Sequence, residues 1–162
     1  MIFYNKLVDT KQFESGNLFC PNCNCKFKSN FIGARALADH FVIYKKVPFF
    51  VEVKSSKNAT SYSLRYIKEH QLSHSIQIEH HGVPYLFAIC DRSRPRHFKM
   101  YLLHAYVLDV IISKLHPRKS IKWSILSEVA ETCDRLPGGL WDIGPALQKI
   151  IVDHWLIGRG AY

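Results

Sequence analysis

The chain has 162 residues, 48% hydrophobic and 22% charged, which supports one globular domain with a core of its own and excludes a disordered chain. Its 22 Lys and Arg against 13 Asp and Glu leave a net charge of +9 beside nine histidines, so it attracts polyanions, of which nucleic acid is the commonest. Apolar runs are only a few residues long, as in YVLDVII where Asp109 interrupts, and no transmembrane helix is expected.

Residues 1–18 have weak periodicity and are expected to form an arm or short helix. Together with FCPNCNCKF they make an N-terminal arm, residues 1–34, attached to a core spanning 35–162 within a single domain. HFVIYKK and VPFFVEVKSS alternate like strands, and Lys45-Lys46 reads as their hairpin connection. SLRYIKEHQLSHSIQIEHHG has helical spacing and stops at Gly82. VPYLFAICD and HFKMYLLHA read as two further strands, linked by the basic turn RSRPR. YVLDVIISKLH is helical up to Pro117, IKWSILSEVAETC is read as one helix, and PALQKIIVDHWL is a C-terminal helix with Pro145 in its first turn. Strands interrupted by a long helix place the chain in the α/β class.

The stretch FFVEVKSSK, residues 49–57, carries the chemistry. Strand alternation sends Phe49, Val51 and Val53 to one face and Phe50, Glu52 and Lys54 to the other, so two opposite charges share one face. An edge strand with a solvated ion pair would account for this. The alternative includes Asp39 at the head of the preceding strand, giving D-x12-E-x-K. Two carboxylates converging across neighbouring strands can hold a hard divalent cation that keeps positions open for water and phosphate. A lysine on the Glu52 face can orient or deprotonate the attacking water, or stabilise the charge on phosphorus. On the long helix, Leu64, Ile67, Gln71, Ser75 and Ile78 fall on one stripe. Gln71 is then either a satisfied core amide or a side chain reaching over the sheet to the site.

Three basic groups are candidates for phosphate contact rather than for solubility alone: Lys26, Lys28 and Arg35; Arg92, Arg94, Arg96, His97 and Lys99; Arg118, Lys119 and Lys122. No stretch pairs a basic face with a long apolar one, so a membrane partner is not expected. Cys20-x2-Cys23 with Cys25 resembles half of a zinc site lacking its fourth ligand. The segment is read either as holding a structural zinc ion or as a reduced, strand-forming piece. Cys90 and Cys133 are expected to be packed apolar residues, and His80-His81 to lie on the surface. With no basic-then-apolar leader, the expected location is the cytoplasm, where the five cysteines stay reduced.

ALADHFVIYKKVPFFVEVKSSKNATSYSLRYIKEHQLSH resembles the core of the RecU-type Holliday-junction resolvases, within the PD-(D/E)XK nuclease superfamily. The shared features are an aspartate before the first strand, the E-x-K strand, a Ser/Leu-containing helix entry and the HQ-x-x-H segment. RKSIKWSILSEVAETC and IGPALQKII resemble the family's terminal region, which extends the likeness from about residue 35 to the C-terminus. The resemblance implies a restriction-endonuclease-like fold, a central mixed β-sheet flanked by helices, in which Asp39 and Glu52 ligate magnesium or manganese, Lys54 is the catalytic lysine and Gln71 assists. It also implies a homodimer that resolves four-way DNA junctions by paired phosphodiester hydrolysis. The superfamily often adds an upstream helical acid, for which Glu14 is the nearest candidate, although no local motif supports it. Two other functions remain open: a repair- or restriction-type nicking endonuclease on duplex DNA, and a non-catalytic nucleic-acid-binding protein of the same fold. The joint presence of Asp39, Glu52 and Lys54 argues against the last.

Overall fold

The computed structural model describes residues 2–6, 18–19, 26–27, 38–95 and 98–158. A seven-stranded mixed sheet with helices on both faces organises them. In chain order its strands are β1 (Ile2–Lys6), β4 (His40–Tyr44), β5 (Val47–Ser56), β7 (Tyr85–Asp91), β8 (Lys99–His104), β10 (Glu131–Arg135) and β11 (Trp141–Asp142), and their spatial order is the same. Two small ladders stand apart: β2 (Leu18–Phe19) with β3 (Lys26–Phe27), and β6 (Ser61–Ser63) with β9 (Ser120–Lys122). Among the described residues only β5 and β7 run parallel, and the chain crosses between them through β6 and helix α1 (Glu69–His80). The helices α2 (Ala105–Leu115), α3 (Trp123–Val129) and α4 (Gly144–Gly158) complete the layers.

The alternation read in the sequence decides which layer each side chain joins. Phe49 and Val51 lie under α4 with Val42, Leu86, Leu102, Leu147 and Ile150. Phe50, Tyr85, Phe87, Ile89, Tyr101 and Leu103 face the other way, against α1, α2 and α3. Each fully buried aromatic or leucine in these layers contributes roughly 1.5–3 kcal/mol of transfer free energy. β7 is buried on both faces from Tyr85 to Cys90, the pattern of a strand enclosed by two layers. At the β4–β5 hairpin both Lys45 (φ 49°) and Lys46 (φ 69°) take the left-handed conformation that a two-residue connection demands.

Four elements differ from the sequence expectations. Residues 2–6 form an edge strand on β4, from Ile2 opposite Tyr44 to Lys6 opposite His40, rather than part of an arm or short helix. The helix expected over 63–82 begins only at Glu69, because Tyr62 pairs with Ile121 and the Leu64 N–H donates to the Lys119 carbonyl at 3.0 Å. Its end is as expected, with Gly82 at φ 81°. Residues 121–133 are not one helix but β9, α3 and β10. The strand β10 exists because β8 offers a free edge, which it takes with Cys133 opposite Met100. Finally, β5 is no edge strand: it lies between β4 and β7, and the Glu52–Lys54 pair is largely enclosed. Among the described residues no helix is long and apolar enough to cross a membrane.

Candidate active site

Glu52 sits in the middle of β5 and is only 4% exposed. A carboxylate enclosed to that degree needs donors, and the fold supplies two. Lys54 Nζ donates to Glu52 Oε1 at 2.6 Å and Gln71 Nε2 donates to the same oxygen at 2.6 Å. Lys54 Nζ donates in turn to Gln71 Oε1 at 3.2 Å, which closes a triangle of Glu52, Lys54 and Gln71.

Each side chain owes its place to local structure. Glu52 and Lys54 share a face because they are two apart on a strand. Gln71 is the third residue of α1, where its Oε1 accepts the Lys68 N–H at 3.3 Å and its own N–H donates to the Lys68 carbonyl at 2.9 Å. That reciprocal cap pins the amide at the helix start, directly over the sheet. Asp39 precedes β4. His40 pairs with Val51, so one further step of the antiparallel ladder sets Asp39 opposite Glu52, on the same face. There β4 has ended, and Asp39 Oδ2 accepts the Val53 N–H at 2.8 Å in place of a strand partner. Asp39, Lys54 and Gln71 are each half-buried, so the site keeps partial contact with solvent.

Two tyrosines belong to this environment and escape the sequence reading. Burial and the charges of Glu52 and then Asp39 push the Tyr85 phenol far above its usual range. Burial, Tyr66 and then Glu52 do the same for Tyr62, whose hydroxyl is buried with no hydrogen-bond partner among the described residues. Raised in this way, both phenols stay protonated at neutral pH. Tyr85 is adjacent to Glu52 through the β5–β7 register, which pairs Phe50 with Tyr85 and Glu52 with Phe87. Spacing along the chain cannot reveal that adjacency.

Asp39 and Glu52 are the two carboxylates that the β4–β5 register places on this face, and a pair of carboxylates is a donor set that would suit a hard divalent ion, which takes oxygen ligands and retains waters. Among the described residues no group of three or more His, Cys, Asp or Glu gathers as a fuller metal cage.

Basic residues are exposed on the elements that adjoin β5 and α1. Arg92, Arg94 and Lys99 are exposed at the β7–β8 connection, and the Arg92 N–H donates to the Ser56 carbonyl at 2.8 Å, at the end of the strand that carries Glu52 and Lys54. Arg118, Lys119 and Lys122 are exposed beside β9, which adjoins the turn leading into α1. Lys57, Arg65 and Lys68 are also exposed nearby, though no run of charge marks them in the sequence. Lys26 lies in β3, whereas Lys28, Arg35, Arg96, His97, Glu14, Cys20, Cys23 and Cys25 lie outside the described residues. Cys90 and Cys133 are buried, and His80 and His81 are exposed, as expected.

No family model and no curated protein matches the chain. Among solved structures it is similar to Hjc of Archaeoglobus fulgidus, a Holliday junction resolvase from an archaeal hyperthermophile, at 14% identity and a TM-score of 0.38. The match covers 56% of this chain and 65% of that one.

Proposed function

We propose that the protein is a magnesium- or manganese-dependent endodeoxyribonuclease of the PD-(D/E)XK type that hydrolyses phosphodiester bonds in branched DNA. The observation that supports it best is the hydrogen-bonded set of Glu52, Lys54 and Gln71 from β5 and α1, with Asp39 opposite Glu52 in the β4–β5 register. Asp39 and Glu52 would hold the cation. When bound, such an ion neutralises charge on the scissile phosphate and lowers the pKa of the attacking water.

The chain's own groups do the rest. Lys54 presents an ammonium, fixed by Glu52 and Gln71, where negative charge develops during attack on phosphorus. Gln71 holds Lys54 and Glu52 in register, and being neutral it positions rather than carries charge. Arg92, Arg94 and Lys99 on one side, and Arg118 and Lys119 on the other, contact backbone phosphates and supply affinity without reading sequence. Resolving a four-way junction takes two incisions related by approximate two-fold symmetry, and each chain provides one Asp39–Glu52–Lys54 set. A homodimer with both sets on one basic surface meets that requirement.

The test is cleavage of labelled four-way, nicked and linear DNA by the whole chain, in magnesium and in chelator, with sedimentation at micromolar concentration. The expected outcome is a dimer that cuts the junction in magnesium only. DNA binding without cutting in any metal would leave a non-catalytic binding protein, and nicking of linear duplex as fast as junction would leave a duplex endonuclease.

A further inference from the structure

Arg65 and Tyr66 occupy the single turn, Leu64–Tyr66, that leads into α1. The turn is anchored at both ends: the Leu64 N–H donates to the Lys119 carbonyl at 3.0 Å, and the Ile67 N–H closes back on the Leu64 carbonyl at 2.9 Å. Its aromatic ring still faces water. Tyr66 is 42% exposed and leans on the fully buried Tyr62 ring, 6.0 Å between centroids. The Arg65 guanidinium lies 4.9 Å from the centre of the Tyr66 ring and donates to its hydroxyl at 2.8 Å. Ring and cation are thus held as one unit.

A lone exposed aromatic is ordinary, but the surroundings of this one are not. Lys57, Lys68, Lys119 and Lys122 are exposed on the segments that carry or pair with the turn. Among the described residues no carboxylate pairs with them or with Arg65, so their charge is left for an anion. The turn also adjoins the site. Two residues beyond Tyr66, the Lys68 N–H donates to Gln71 Oε1 at 3.3 Å, and Gln71 Nε2 donates to Glu52 Oε1 at 2.6 Å. A base inside a continuous duplex is already stacked on both faces, whereas an unpaired base has a face free for an aromatic ring, whatever its identity. A guanidinium fixed beside that ring offers several N–H donors to the adjoining phosphate.

From this we infer that Arg65 and Tyr66 form a docking platform for one unpaired nucleotide of DNA, the Tyr66 ring stacking on the base and the Arg65 guanidinium meeting its phosphate. The inference rests on the endonuclease reading above and narrows its substrate to DNA whose bases are unstacked beside the cut, as at a branch point.

Fluorescence anisotropy of the whole chain tests it in chelator, with labelled single-stranded and duplex DNA of equal length. Tyr66→Leu keeps apolar bulk against Tyr62 but has no π face. It is expected to weaken single-strand binding roughly tenfold and to leave duplex binding unchanged, while Tyr66→Trp binds single strands like wild type. Arg65→Gln is expected to flatten the slope of log affinity against log salt for single strands by about 0.7. Tyr66→Leu binding single strands like wild type, or losing both DNAs equally, would overturn the platform and leave the endonuclease reading to its own cleavage test. Wild type binding neither DNA would overturn both. Should Tyr66→Leu not fold, wild type supplies a second readout: a single strand carrying 5-iodouracil, which photocrosslinks to stacked aromatic rings, is expected to couple to Tyr66. Coupling that is absent or confined to other residues overturns the proposal.

Discussion

Glu79→Ala should destabilise the fold more than any exposed charge removal. Glu79 lies near the end of α1 with its side chain 9% exposed, and it is the common acceptor for three donors from separate elements. Oε1 takes the His104 Nδ1–H at 2.7 Å and the Tyr85 N–H at 3.3 Å, and Oε2 takes the Tyr106 N–H at 2.8 Å. One carboxylate thus joins α1, the start of β7 and the first turn of α2, whose N-terminal N–H groups have no acceptor of their own within the helix. Losing the acceptor of a buried donor costs about 1–3 kcal/mol. The Tyr85 bond is the longest and Tyr106 is 40% exposed, where water replaces the carboxylate, so the expected loss is about 2–4 kcal/mol, a large share of the roughly 5–15 kcal/mol of a typical domain. Glu79→Gln keeps one acceptor oxygen and should lose about 1–2 kcal/mol. Urea unfolding followed by tryptophan fluorescence and by circular dichroism measures both. Two variants within about 0.5 kcal/mol of wild type would refute the reasoning, since neither buried donor pairing nor capping of α2 would then matter.

Further outcomes follow from burial and backbone. Cys90 and Cys133 are buried, and burial with neighbouring Cys90 and acidic groups pushes the Cys133 thiol up to about 12. In residue-resolved alkylation of the native protein both should stay unmodified until denaturant is added; fast native labelling would contradict their packing. Tyr62 and Tyr85 have folded-state values raised above the ordinary phenol value near 10. Their contribution is therefore fully present below pH 10 and is lost as pH rises above it, so thermal midpoints should fall steeply on the alkaline side. A flat profile there would count against the burial of both phenols. Lys46→Gly, at φ 69°, should stabilise the hairpin by about 1 kcal/mol because glycine takes the left-handed conformation without steric cost; a destabilised variant in urea unfolding would contradict the turn geometry.

Alternation and turn residues are enough to identify β4, β5, β7 and β8, because each is set by its own local pattern and by a break at Lys45-Lys46, Gly82 or the arginine-rich turn. The faces of β5 are legible for the same reason, which is why Glu52 and Lys54 can be paired from sequence. Gln71 is legible as a polar residue on the apolar stripe of a helix. Other features depend on partners far along the chain. β10 is ETCDR, with no strand alternation of apolar residues to mark it, and the vacant edge of β8 makes Glu131–Arg135 a strand. The opening of the long helix is drawn into β6 by β9, almost 60 residues later. Tyr85 reaches Glu52 through the parallel register with β7, and Asp39 reaches it through the antiparallel register with β4. The hairpin beside Asp39 makes the second readable from sequence, while the crossover hides the first.

The most direct test of the central claim is the single-turnover cleavage rate of a labelled four-way junction, measured at saturating magnesium for wild type and for Lys54→Ala, with junction binding measured in parallel. The account predicts that wild type cuts in magnesium and not in chelator, and that Lys54→Ala binds the junction but cuts it about a hundredfold or more slowly. A Lys54→Ala variant that cuts at the wild-type rate, or a wild type that binds the junction and leaves it intact in magnesium and manganese, would contradict it.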